Sequence, residues 1–460
     1  MPCVHVALLS GHSATVPTEP GTTISDVKRS AEQLLQLGIA CLVNAGRVAE
    51  PFHSLEDLGV GDGDTLQATV RHATVISSRR SDAFALIRSD GSVVTWGRPE
   101  HGGESRSVQG ALFDVQEIVA SSGAFAAIRA DGKVVTWGRP DCGGDSTRVQ
   151  DQLTGICQIA ASLSAFAALR ADGTVVTWGS PDFRRDGRAG QTLHKQLQNV
   201  KHIVASGGMF AAIRSDGTVI TIERGFESDA VQEQLIDVSF ITASAGAFAA
   251  IQGCGDVVTW GTPRFGGDSS AVREELQDVK EIIASAGAFA AIRADGSVVT
   301  WGVPDDGGDS SAVQLQLTNV RQVTASSDAF AAIRVDGTVV TWGRPGGGAD
   351  SSPVQHQLQN VEQVIASRGS FAAIRSDRTV VTWGRPACGG DSSSVQGQLH
   401  DVRQVAASHG AFAAVRADGA LITWGLPYCG GDSSMVQDQL QDLHGFEKRP
   451  FLQMQGFQHR

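Results

Sequence analysis

The feature that most constrains this chain is a Trp-Gly pair that returns every 41 residues. All eight tryptophans obey it: Trp96, Trp137, Trp178, Trp260, Trp301, Trp342, Trp383 and Trp424. The one gap of 82 residues, between Trp178 and Trp260, is twice the period, and Ile222 fills the skipped place. Phe84, Phe125, Phe166, Phe210, Phe248, Phe289, Phe330, Phe371 and Phe412 mark the same nine units independently. A fixed period of this length means that one supersecondary unit is copied, and that each copy buries its apolar surface against the next.

The unit from Val279 to Leu317 shows what is copied. Ile282-Ile283-Ala284-Ser285 is short and apolar and predicts a buried strand. Ala288–Arg293 predicts a second strand, with Phe289 and Ala291 on one face and Ala290 and Ile292 on the other. Both faces are apolar, as suits a sheet covered on both sides. Asp295-Gly296 signals a hairpin, because such turns need positive φ. Val298–Gly302 is the return strand. Small Ala facing large Phe and Trp would let neighbouring sheets interlock at crystal-like density. Further on, Ser311 and Gln314 match a capping box, and Pro353 in a sister unit sits where a first helical turn accepts proline. Val313 and Leu317 then share a helical face, so a short helical turn is expected there. Nine such units stack either radially, as propeller blades, or linearly, as a solenoid.

At 460 residues the chain exceeds one compact core. Its formal charge of −12 disfavours non-specific nucleic-acid binding, which needs phosphate neutralisation. Seven cysteines without a CxxC pair argue against a disulfide framework and a thiolate zinc site. No apolar run of membrane-spanning length occurs, and the N-terminus does not read as a signal peptide. A cytoplasmic or nuclear setting is expected.

The stretch AFAAIRADGSVVTWG resembles the core of the regulator-of-chromosome-condensation repeat, over about residues 73–440. The resemblance implies a mainly β fold, a repeat β-propeller. The units are shorter than is usual for that family, and there are nine where seven blades are typical. A larger ring, seven blades with flanking units and an unclosed spiral all fit. Residues 441–460 form a tail, expected to be a flexible end in preference to a docking peptide. Some relatives carry a ubiquitin-ligase catalytic domain, which is not expected in so short a segment.

Residues 1–72 differ in character. Val4–Leu9, a stretch around Ala14-Thr15-Val16, a helical pattern from Ser25 to Leu35, Cys41–Arg47 and Thr65–Val70 give strands around one helix. The helical face comprises Ile24, Val27, Ala31, Leu34 and Leu35. This order, with LVNAGRVAE, is similar to a small α+β ubiquitin-like β-grasp domain. Arg71-His72 continues straight into the repeats where a transferable tag would end in a free Gly-Gly, so a fixed recognition module is implied.

Arg88, Arg129, Arg170, Arg214, Arg293, Arg334, Arg375 and Arg416 share one place before the hairpin. They could bind an acidic partner, but a local pair such as Arg293 with Asp295 is favoured. Asp145, Asp268, Asp309, Asp350, Asp391 and Asp432 follow the Gly pair. Each unit supplies one carboxylate, too few for calcium, so an Asx-turn is expected. Cys142, Cys388 and Cys429 occupy a position that also accepts His101, Phe265, Asp306 and Gly347, so the thiols read as incidental. No metal, cofactor or catalytic constellation is expected.

The template breaks between the third and fourth units, where Arg184, Arg185, Arg188, Lys195 and Lys201 gather on an acidic chain. They are the candidate partner-binding residues, through charge complementarity. The function expected is therefore that of a non-catalytic protein-protein interaction scaffold or adaptor. A link to ubiquitin pathways is implied by resemblance. The alternative is guanine-nucleotide exchange on a small GTPase, as for the founding member of the repeat family.

Overall fold

The computed structural model describes residues 2–9, 11–35, 38–49, 53–180, 197–222 and 231–440. It is mainly β and propeller-like, built of repeated three-stranded sheets.

The first five strands are β1 (Cys3–Leu8), β2 (Ser13–Pro17), β3 (Ile39–Asn44), β4 (Arg47–Val48) and β5 (Thr65–Val70), with α1 (Ile24–Leu35) between β2 and β3. They form one sheet in the order β2-β1-β5-β3-β4, with β1 parallel to β5 and the other neighbours antiparallel. Alternation along β1 buries Val4, Val6 and Leu8 against Ile24, Val27 and Ala31 of α1. The helix starts on a reciprocal box: the Thr23 amide donates to Asp26, and the Asp26 amide donates to the Thr23 hydroxyl. Leu34, placed on the inner face from sequence, is instead 58% exposed, and Leu35 takes the inward place.

This unit rests on the repeats through cations. The Lys28 ammonium donates to the Ala40 carbonyl at 3.1 Å and to Gln116 Oε1 at 3.3 Å. Arg71 donates to the Val115 carbonyl at 3.0 Å and to Gln116 Oε1 at 2.8 Å. Burial, with Arg71 adding repulsion, pushes the Lys28 ammonium down to about 8.

Among the described residues nine three-stranded sheets follow, each antiparallel with the Phe-bearing strand in the middle. The first comprises Thr74–Ile76, Ala83–Ile87 and Val93–Gly97; the sixth Val279–Ala284, Ala288–Arg293 and Val298–Gly302; the ninth Val402–Ala407, Ala411–Arg416 and Leu421–Gly425. The second and third strands fall where the sequence puts them. The first begins three residues earlier, at Val279, and Ser285 caps its end: the buried hydroxyl accepts the Ala288 amide and donates to the Asp306 carbonyl. The hairpin needs only one positive φ, at Gly296 (+79°). Asp295 instead accepts the Ser297 amide at 2.9 Å and the Ser297 hydroxyl at 2.6 Å.

The helical turn is a 3₁₀ turn, Gln314–Gln316. The capping box expected there does not form. Ser310, not Ser311, meets the glutamine: its hydroxyl donates to Gln314 Oε1 at 2.8 Å and lies 2.9 Å from the Thr300 hydroxyl. Gln314 Nε2 donates to the Val298 carbonyl, so the side chain ties the turn to its own sheet. Leu317 is fully buried and Val313 packs beside it in the same core.

Adjacent sheets interlock by size. Phe289 and Ala291 of the sixth sheet pack on Ala247, Ala249 and Ile251 of the fifth, while Ala288, Ala290 and Ile292 receive Phe330 of the seventh. Phe289 stacks on Trp301 with centroids 5.1 Å apart. Trp301 Nε1 then donates across the seam to the Gly266 carbonyl at 3.0 Å. Gly266 has φ +92°, and a Cβ there would lie 2.6 Å from the Phe289 ring. The same Trp-to-Gly bond is made by Trp137, Trp178, Trp342, Trp383 and Trp424. For Trp260 the equivalent partner falls at residue 225, outside the described residues.

The ninth sheet meets the first in the same way. Trp96 Nε1 donates to the Gly430 carbonyl at 3.1 Å, and Phe84 packs with Ala411 and Ala413. Gln404 makes two hydrogen bonds to the backbone of Val75. A belt of backbone bonds runs from sheet to sheet along one rim, including Ala286 to Ser327, Ser327 to Arg368, Arg368 to His409 and His409 to Ser81.

Candidate interaction surface and channel

Most of the described polar groups that recur along the repeat are used within the fold. Arg129, Arg293, Arg334, Arg375 and Arg416 each lie 3.0–3.8 Å from the aspartate of their own turn. Arg170 donates to the Gln152 carbonyl. The aspartates after the Gly pair close Asx-turns: Asp268, Asp309, Asp350, Asp391 and Asp432 each accept the amide two residues on at 2.9–3.0 Å. The tryptophan and glutamine of the template are taken up in the seams and turns described above.

The first strands of several sheets surround a cavity of about 750 Å³, lined among others by Thr74, Ser77, Thr242, Ile283 and Thr324. Arg79 reaches across it from the first sheet. Its guanidinium donates to the carbonyls of Ala325 (2.9 Å), Ser326 (2.8 Å) and Ala284 (3.1 Å), in the sixth and seventh units. Burial pushes this guanidinium down to about 10. The neighbouring Arg80 is lowered for the same reason. Arg79 thus acts as a cross-brace through the channel, and its charge is met by backbone dipoles.

A second cavity, of about 370 Å³, is lined by His72, Arg378, Asp401, Arg403 and Ala417. Arg403 Nη1 lies 3.5 Å from His72 Nδ1. Arg378 stands at the hairpin place that other units give to glycine, and it keeps the glycine-like φ of +64°. A bulky residue held in that region carries backbone strain, of a kind that accompanies functional positions. The pocket is predominantly basic on an acidic chain.

Of the candidate partner-binding residues, Arg184, Arg185, Arg188 and Lys195 lie outside the described residues. Lys201 is exposed at the start of the fourth sheet's first strand, Val200–Ser206. Beside it His202 is lowered by burial and by the Lys201 charge.

Sequence reasoning missed four side chains that converge where the ninth sheet meets the first: Asp82, His101, His409 and Cys429. They are separated by up to 347 positions, so no local spacing could reveal them. The available signal was departure from the template. Most sister units have Gly or Ser where Asp82 stands, and none has His where His409 stands. The Cys429 Sγ donates to Asp82 Oδ1 at 3.3 Å, and burial together with that carboxylate pushes the thiol up to about 12.

No protein-family model and no curated protein matches the chain. Solved structures do resemble it. Yeast RCC1 (Prp20), crystallised bound to Kap60, is 15% identical, covers 58% of this chain and 81% of its own, and gives a TM-score of 0.37. Prp20p from Saccharomyces cerevisiae, described with its binding to Gsp1p and histones, is 17% identical over 60% and 72% of the two chains, with a TM-score of 0.34. The CRINKLY WD40 ectodomain of the Arabidopsis thaliana receptor kinase ACR4 is 15% identical over 59% and 96%, with a TM-score of 0.35. At such scores the architecture rests on the sheets themselves. No described helix is long and apolar enough to cross a membrane.

Proposed function

We propose that this chain is a non-catalytic protein-interaction scaffold: a closed, nine-bladed propeller ring of regulator-of-chromosome-condensation type, carrying a ubiquitin-like module at residues 1–72. The observation that carries this reading is the internal use of the template's polar groups. Tryptophan, glutamine, aspartate and most of the recurrent arginines are spent on seams and turns, and Arg79 braces the channel. Outward-facing basic groups lie at His72, Arg378 and Arg403, where Arg378 departs from the template glycine, and at Lys201. Both places are basic, so acidic protein surfaces are the partners of matching charge.

The test is capture of proteins by the full chain, compared with two charge-reversed variants. One carries Glu at Arg378 and Arg403, the other Glu at Arg184, Arg185, Arg188, Lys195 and Lys201. Salt-sensitive capture of a defined acidic protein, lost in one variant and kept in the other, is the expected result. If the wild-type chain retains nothing specific, the scaffold reading is wrong. Nucleotide release is measured in parallel on a panel of small GTPases, and acceleration there would replace this reading with exchange activity.

A further inference from the structure

The place where the array meets itself is chemically unlike the other described seams. Asp82, from the first sheet, turns one carboxylate oxygen toward two side chains of the ninth. His409 Nδ1 lies 3.4 Å from Asp82 Oδ1, and Cys429 Sγ lies 3.3 Å from the same oxygen. The three ligand-type atoms all fall within 4.8 Å of one another. Tetrahedral zinc, with bonds of about 2.0–2.3 Å, sets its ligand atoms roughly 3.3–3.8 Å apart, so two of the three edges already have that length. The second oxygen of Asp82 is held from behind: Arg98 Nη1 lies 3.5 Å from Oδ2 and His101 Nδ1 lies 3.2 Å from it. His101 Nδ1 is buried and makes no aligned hydrogen bond. Arg98 thus donates to the carboxylate from outside the three-residue cluster, as an outer-shell partner does, with the His101 imidazole beside it.

We propose that Asp82 Oδ1, His409 Nδ1 and Cys429 Sγ bind one Zn²⁺-class divalent ion, which pins the ninth sheet to the first. The donor set of one thiolate, one imidazole and one carboxylate suits a borderline-soft ion and leaves a fourth position for water. Charge balances, because the carboxylate and the thiolate together neutralise the cation. On binding, the Cys429 thiol proton leaves to solvent as the metal–sulfur bond forms. Arg368 Nη1 now lies 3.0 Å from His409 Nε2. Coordination through Nδ1 moves that ring's proton to Nε2, and the exposed Arg368 side chain turns aside. The other charged group near His409 is Arg385, and those near His101 are Arg98, Arg139 and Glu100. The buried Cys388 and Cys142 share the Cys429 position in their own sheets, where the places equivalent to Asp82 on the next sheet are Gly410 and Ser164.

The repeat itself supplies variants that the fold accepts. Asp82→Gly restores the residue at Gly123, His409→Ala that at Ala286, and His101→Phe that at Phe265. The full chain, stripped with chelator, is titrated with Co²⁺ as a spectroscopic stand-in for Zn²⁺. One equivalent is expected to produce thiolate-to-cobalt charge-transfer absorption, displaced by Zn²⁺. D82G and H409A are expected to lose it, Cys388→Ala to keep it, and H101F to weaken affinity about 10- to 100-fold, as for other outer-shell partners. Zn²⁺ is also expected to raise the melting temperature of the wild type and not of D82G. Absence of a thiolate band in the wild type, or its survival in both D82G and H409A, would overturn the site. Circular dichroism of each variant separates loss of binding from loss of fold.

Discussion

Two seams of the array use the same template places for different chemistry. Between the sixth and seventh sheets, Asp306 and Asp328 share one cation: Arg344 lies 3.9 Å from each. Burial, with the Asp328 charge adding to it, raises the Asp306 carboxyl. Between the ninth and first sheets, Cys429 takes the place of Asp306, Asp82 that of Asp328, and His409 and His101 are added. The first arrangement is an ordinary charge balance on a half-exposed arginine. The second replaces a carboxylate with a thiol and brings neutral imidazoles, lowered chiefly by burial, to the same spot. The backbone lattice beneath is the same in both. A repeat thus makes its seams strong by uniformity and acquires new chemistry by changing three or four side chains at one of them.

The largest effects should come from that shared lattice. Gly266→Ala at the interior seam and Gly430→Ala at the closing seam each set a methyl about 2.5 Å from a buried Phe ring at φ near +90°. Each is expected to cost roughly 2–5 kcal/mol in urea unfolding, from overpacking and backbone strain together. Similar losses keep the two seams equivalent, and a neutral G430A would separate them. Next in size is Arg79→Ala, which leaves three buried carbonyls without a charged donor. A loss of roughly 2–3 kcal/mol is expected, with hydrogen exchange rising at Ala284, Ala325 and Ser326, far from the mutated sheet.

The N-terminal unit responds to pH. Lys28 titrates near 8 in the folded protein, against 10.5 as its ordinary value. Between these values the unfolded chain binds more protons, so stability rises as pH rises from about 8 to 10.5. At pH 7 both states are charged, and the full cost of burying the ammonium is present. Lys28→Met is therefore expected to stabilise at pH 7 and to flatten the alkaline rise in melting temperature. A smaller gain, about 1–2 kcal/mol, is expected for Arg378→Gly, which removes the Cβ from a left-handed position. If R378G also weakens partner capture, strain and binding share that residue.

Much of the lattice was legible in the sequence because a nine-fold copy repeats its evidence. Phe289, Ala290, Gly296 and Trp301 report packing through size and turn chemistry alone. The hydroxyl that meets Gln314 was misassigned by one residue, to Ser311, because a Ser-Ser pair offers two candidates and a 3₁₀ turn shifts the register of a helical box. The cross-brace was not legible: nothing around Arg79 announces carbonyl partners some 200 to 250 positions away. Nor was the closing cluster, since Asp82 and His409 become neighbours only when the last sheet meets the first.

Closure is the claim on which the rest depends, and the unfolding energies of Trp96→Phe and Trp301→Phe test it most directly. Trp301 bonds Gly266 across an interior seam, and Trp96 bonds Gly430 across the closing one. Each substitution keeps an aromatic ring and removes one buried hydrogen bond, a loss of about 1–3 kcal/mol. A closed ring predicts equal losses for the two variants. If W96F unfolds like the wild type while W301F is destabilised, the array is open in solution and the closing seam does not exist.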